Sequence, residues 1–167
     1  AYWIFTQRPF DTSIYLQQLS IRNEKMIEQK NDLTEPFTFY LPDSSAITLF
    51  PGSKLSYDMN FGNAHRDVYL SGKATFAVVK NPEKPFLVFS NEIITKVLGT
   101  QFEVSAFDKD QNVIVKVQSG QVSVYQDKGN TVKDQIYSEK SGVLLMPNQQ
   151  VTYKRAGEQF NKTLVDD

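Results

Sequence analysis

The stretch Phe102-Glu103-Val104-Ser105-Ala106-Phe107-Asp108-Lys109-Asp110-Gln111-Asn112-Val113-Ile114-Val115-Lys116-Val117-Gln118-Ser119-Gly120-Gln121-Val122-Ser123-Val124 decides the fold. Phe102, Val104 and Ala106 recur at every second position, as do Val113, Val115 and Val117, and then Val122 and Val124. That period places each set on one face of a β-strand, whereas a helical face would require spacings of three and four. Turn chemistry separates the runs. Asp108-Lys109-Asp110 supplies polar turn formers between the first two, and Ser119-Gly120 does so between the second and third.

The same pattern extends in both directions. Toward the N-terminus lie Ile47 and Leu49, Leu55 and Tyr57, Val68 and Leu70, Ala74, Phe76 and Val78, and Phe86 and Val88. Toward the C-terminus lie Val143 and Leu145, then Val151 and Tyr153. Pro42-Asp43-Ser44, Pro51-Gly52-Ser53, Phe61-Gly62-Asn63, Asn81-Pro82-Glu83 and Lys128-Gly129-Asn130 mark further turns. Many short strands at this spacing predict an all-β domain, an antiparallel two-sheet sandwich of jelly-roll type. A β-solenoid is the alternative, disfavoured because no repeat is visible. The first 35 residues fit no single period; a short helix near 12–20 and a strand near 24–30 are expected there. The division is then an N-terminal segment over 1–35, a β domain over 36–155, and the start of a linker over 156–167.

Composition narrows function. A chain of 167 residues favours one domain able to bury its own core without staples. It has no cysteine, which excludes disulfides, thiolate metal sites and cysteine nucleophiles. Eighteen basic and 19 acidic residues leave a formal charge of −1, with no basic cluster to grip a phosphate backbone, so nucleic acid is not expected as a partner. No apolar run is long enough to span a membrane, and no signal peptide is visible. Tyr2-Trp3-Ile4-Phe5 has two readings, the aqueous edge of a membrane helix or a strand packing on the domain.

Candidate chemistry is sparse. His65 is the single histidine, so a Ser-His-Asp triad would have to be built on it; a solvent-facing place before the strand at Val68 is the expectation. Asp108 to Asn112 resembles the opening of a calcium loop, but Val113 stands where glycine is needed and no closing glutamate follows, so a polar hairpin turn is expected. Asn161-Lys162-Thr163 fits a glycosylation acceptor, a pattern common by chance. Glu92 and Glu103 are carboxylates of the kind glycoside hydrolysis needs in pairs, with solvated strand faces as their ordinary role. Gly99-Thr100 lacks the second glycine and lysine of a phosphate loop. No catalytic residue, cofactor or metal site is expected.

The segment from Leu41 to Tyr153 resembles the FecR domain, the envelope-side sensor region of bacterial transmembrane anti-sigma regulators associated with TonB-dependent transporters. Leu41-Pro42-Asp43-Ser44-Ser45 is similar to that family's opening turn. Ser53, Leu55 and Tyr57 follow its Ser-x-Leu-x-Tyr strand, and Phe61 and Arg66 its next link. Val68 to Phe76, with Gly72, follows its Val-x-Leu-x-Gly-Glu-Ala-x-Phe pattern, and Pro85-Phe86 opens a strand as in the family. Val97-Leu98-Gly99-Thr100-Gln101-Phe102-Glu103-Val104 resembles its Val-Leu-Gly-Thr-x-Phe-x-Val core. Val115 to Val124, turning at Gly120, and Leu145-Met146-Pro147-Asn148-Gln149 resemble the closing hairpin and turn. Ser44 and Asn148 stand where glycine is usual, Phe50 where asparagine is, and Lys73 where glutamate is.

The residues carrying this resemblance, Gly72, Phe76, Pro85, Phe86, Gly99, Thr100, Phe102, Val104, Gly120 and Pro147, are expected to be structural. Gly99 suits a bulge, a tight bend or a positive φ, and Thr100 can bond back to the backbone. What the resemblance implies is a periplasmic domain of an inner-membrane protein, anchored by one helix outside this sequence. Its partners would be the signalling domain of a TonB-dependent transporter, the regulator's own C-terminal domain, or both. The alternative is a carbohydrate-binding module, which would present Tyr57, Tyr69 or Tyr125 on an exposed groove.

Overall fold

The structure, a computed structural model, describes residues 13–20, 25–127 and 142–165. Tyr2 to Phe5 and the turn at Lys128-Gly129-Asn130 lie outside the described residues. Among the described residues one helix, α1 (Ile14–Ser20), precedes thirteen strands. They are β1 (Met26–Lys30), β2 (Phe37–Tyr40), β3 (Ala46–Leu49), β4 (Lys54–Asp58), β5 (Arg66–Ala77), β6 (Phe86–Ser90) and β7 (Ile93–Val97). Then come β8 (Gln101–Ala106), β9 (Asn112–Ser119), β10 (Val122–Gln126), β11 (Val143–Leu145), β12 (Gln149–Lys154) and β13 (Gln159–Leu164). The helix and strand expected before residue 31 are both present, and β13 occupies part of the stretch expected to begin a linker.

All thirteen strands belong to one sheet, and β5 is its hinge line. Its first half pairs with β4 and β6, its second half with β3 and β8. A first wing therefore runs β1-β4-β5-β6-β7-β10-β11 and a second runs β2-β3-β5-β8-β9-β12-β13. The changeover falls at Ser71 and Gly72. Gly72 has φ +113, and a Cβ there would lie 2.3 Å from Ser53 Oγ. Only glycine meets both conditions.

The bend at Gly72 is large. A straight twelve-residue strand would part its ends by roughly 36 Å. Yet Arg66, at the start of β5, donates from Nη1 to the carbonyl of Val79, just past the strand's end, at 2.7 Å. Because β5 doubles back, residues 78–85 suffice to return the chain to its start, and β6 then runs beside β5 in the same direction. The antiparallel two-sheet jelly roll expected from the alternation is met only in its all-β class, since β5 and β6 are parallel and β5 belongs to both wings. The sheet is continuous and mixed, rolled nearly into a barrel. It is not a solenoid.

Inward residues of both wings form one core that includes Ile47, Leu49, Leu55, Val68, Phe76, Phe86, Phe102, Val104, Val115 and Val151. Fully burying side chains of this size contributes about 1.5–3 kcal/mol each. The outer faces differ. On the first wing Tyr69, Leu87, Phe89, Ile94 and Tyr125 are also buried, and Tyr15 of α1 packs on them. This cover is why β6 and β7 are buried at every position rather than at alternate ones. On the second wing the registers align Thr38, Thr48, Thr75, Glu103, Lys116, Gln150 and Thr163 in one polar row across the sheet.

Candidate partner-binding surface

The residues singled out in the sequence are placed mainly inside the barrel. Phe76 and Phe102 stack at 4.8 Å, and Phe76 meets Phe86 edge-on at 6.2 Å. Val104 is buried beside them. Gly99 does not have a positive φ; its constraint is a close approach, since a Cβ would sit 2.6 Å from the Cα of Lys80. Thr100 is buried and donates from Oγ1 to the carbonyl of Gln121 at 3.1 Å, beside Gly120. Pro85 is half-buried at the entry to β6, and Pro147 is exposed in a turn.

Two arginines connect these parts, and the sequence reading assigned neither a role. Arg66 is 2% exposed. Its Nε donates to Lys84 O at 2.6 Å, and its Nη atoms reach Val79 O, Asn81 O at 3.2 Å and the Asp43 carboxylate at 3.1 Å. The guanidinium also lies over the Phe86 ring, 5.6 Å from its centre. A buried guanidinium is tolerable only when its donors are matched in this way. Asp43 accepts as well from Ser45 Oγ, whose oxygen accepts the Val79 N–H. The opening turn, the 79–84 loop and the start of β5 thus meet at one charge pair. Arg66 and Asp43 both fall in the matched motifs, but with Asp67 beside Arg66 and Lys54 and Asp58 between them nothing in the sequence paired the two.

Arg155 is the second connector. It holds Glu92 with Nε and Nη2, at 2.9 and 3.0 Å, and donates from Nη1 to the carbonyls of Asp108 and Asp110 at 2.7 and 2.8 Å. The 108–112 loop therefore turns its carbonyls to a cation supplied by the chain itself, which fits a hairpin turn. Glu103 lies 3.6 Å from Lys73 Nζ, which stands over the Phe50 ring at 4.5 Å. The two departures at positions 50 and 73 are thus one contact. Among the described residues no three histidine, aspartate or glutamate side chains are placed to hold a metal. Tyr57, Tyr69 and Tyr125, on which the carbohydrate reading depended, are all buried.

One candidate surface is the rim. Among the described residues the near-barrel does not close: β11 ends one wing and β13 the other, and at this seam Lys162 Nζ donates to the carbonyl of Leu144 at 2.8 Å. Leu144, Met146 and Leu164 stand exposed there, Leu164 at 71%. The N–H of Val165 donates to the carbonyl of Asn148, so the ladder's alternation turns the backbone of Phe160, Lys162 and Leu164 to the open side. An exposed apolar group next to unpaired strand backbone is the ordinary make-up of a protein-docking edge. Alternation set Leu144 and Met146 on the face opposite Val143 and Leu145, but nothing in the sequence told that outward face from a seam.

Comparison with known proteins agrees with this architecture. No curated protein matches the chain. Two crystal structures of a candidate anti-sigma factor from Parabacteroides distasonis, at 1.65 and 2.50 Å resolution, are similar to it. Each superposes with a TM-score of 0.72, at 28% and 27% identity respectively, over 84% and 85% of this chain. The chain covers only 60% and 61% of those proteins' own length. The model of the family described as FecR protein matches residues 34–123, more than half of the sequence and all of β2 to β9. The chain belongs to the FecR family.

Proposed function

We propose that this domain is the periplasmic signal-coupling module of a FecR-like anti-sigma regulator and works by protein contact. Membership of the family and likeness to the anti-sigma structures support the class of regulator. The observation that carries the contact is the open seam, where Leu144, Met146 and Leu164 adjoin the unpaired edge of β13. Backbone hydrogen bonds at such an edge give affinity, and alternate side chains give specificity. The partners are the signalling domain of a TonB-dependent transporter, the regulator's own C-terminal domain, or both. In the full protein a single membrane helix anchors the domain.

Calorimetry against both purified partner domains, alongside a glycan array, tests this reading. Binding of micromolar or weaker affinity suits a reversible switch. Leu164→Lys should weaken it by about tenfold, because a leucine otherwise buried on binding becomes a charge. Silence toward both protein domains, or binding to glycans alone, would refute the proposal.

A further inference from the structure

Among the described residues four strands are paired on one side only: β1, β2, β11 and β13. Charge on an edge strand discourages stray pairing, and β1 carries Glu28 and Lys30 while β13 carries Lys162. Strand β11 has only three residues. Strand β2, Phe37-Thr38-Phe39-Tyr40, is uncharged, and Tyr40 is 70% exposed.

Its backbone directions follow from one bond. The N–H of Leu41 donates to Ser45 O at 2.9 Å, so Phe37, Phe39 and Leu41 turn toward β3 and Thr38 and Tyr40 turn to the open side. The next outward positions on either side are Pro36 and Pro42, which have no N–H to offer. The stretch Pro36-Phe37-Thr38-Phe39-Tyr40-Leu41-Pro42 is therefore close to symmetric about Phe39: proline outermost, an apolar residue next, and an outward-bonding residue innermost on each side.

We infer that β2 pairs with β2 of a second copy of this chain, antiparallel about a two-fold axis through Phe39. In that register Thr38 exchanges both backbone bonds with Tyr40 of the partner subunit, and Tyr40 does so with Thr38 of the partner subunit. The two Phe39 residues meet at the close, non-hydrogen-bonded position, where aromatic pairs are favourable. The half-buried Phe37 and Phe39 rings, 6.1 Å apart, complete their burial. A two-fold contact must be self-complementary, and the strand itself carries no charge, although the same register sets Glu35 opposite Asp43 of the partner subunit at each end. Asp43, just beyond the second proline, is already paired with Arg66. The prolines end the pairing after these residues, so the contact is small and the dimer weak.

Sedimentation equilibrium of the chain over a wide concentration range tests the inference. The parent should show a reversible dimer. Thr38→Pro removes an N–H that β3 does not use, together with one exposed hydroxyl bond to Thr48 at 2.8 Å, so it should lower the melting temperature little and weaken the dimer by about tenfold or more. Should that variant fail to fold, Tyr40→Lys, at an exposed side chain, poses the same question. Phe39→Cys introduces the chain's only thiol and should form a crosslinked dimer on mild oxidation. Leu164→Lys, at the seam, should leave dimerisation unchanged. A parent monomeric at every concentration, a folded Thr38→Pro that dimerises like the parent, or a dimer lost in Leu164→Lys would each overturn the assignment.

Discussion

Ser44 and Asn148 show how single residues deviate from a family pattern at a cost. Both hold a positive φ, +72 and +66, at the positions where glycine is usual. The left-handed region costs an L-residue about 1–2 kcal/mol, and part of that gain returns as unfolded-chain entropy when glycine replaces it. Ser44→Gly should therefore raise stability by about 0.5–1 kcal/mol in urea unfolding, and Asn148→Gly by less, since asparagine tolerates this region. Gly99 is constrained differently. With Lys80 at 2.6 Å from any Cβ, Gly99→Val should cost at least about 1–3 kcal/mol by strain against that backbone. Arg66→Met should cost about 3–5 kcal/mol, because it leaves the Asp43 carboxylate and several carbonyls without their donor. A physical reason for glycine at position 99 could be read from sequence, whereas Gly72 was marked only by the resemblance. Which neighbour constrains each could not be read, because Ser53 and Lys80 are distant in the chain.

At the level of elements, period two identified the inward face of most strands, since a strand buried on one side must alternate. It could not identify what covers the first wing. Helix α1 is seven residues long and has no clean apolar stripe, yet Tyr15 is 3% exposed and its hydroxyl donates to Glu28 at 2.7 Å and bonds Ser56. Burial is the main reason the Tyr15 phenol ionises well above its ordinary range, with Glu28 adding to the effect. The sign follows directly. Below pH of about 10 the phenol is neutral whether folded or not; above it the unfolded chain loses a proton that the folded chain retains, so stability falls. Urea midpoints should decline as pH rises past about 10, and Tyr15→Phe should decline less steeply over that range while starting lower for want of the Glu28 bond. An equal slope in both proteins would place the alkaline sensitivity elsewhere, for instance at Tyr153, whose phenol is likewise raised by burial.

For the whole molecule, the all-β class and the succession of most strands along the chain were legible because turns and alternation are local. The parallel β5–β6 pair and the continuous sheet were not, because both depend on β5 turning back at Gly72. The seam was equally hidden, being defined by which two strands fail to meet. Hydrogen exchange should reproduce this layout: β6 and β7, covered on both faces, slowest; β13, whose outward amides face the seam, fastest. Uniform protection across the strands would contradict it. The bend in β5 also has a mechanical consequence. Any rotation of one wing against the other must flex the chain at Ser71 and Gly72, where Ser53 fills the inside of the corner and its hydroxyl accepts the Lys73 N–H at 2.8 Å. Arg66 braces the two ends of the same strand, so the corner can neither open nor fold further without breaking that brace. A push on the rim at β13 is therefore transmitted stiffly to the opposite wing and to α1 resting on it, so the domain would move as a lever and not as a spring.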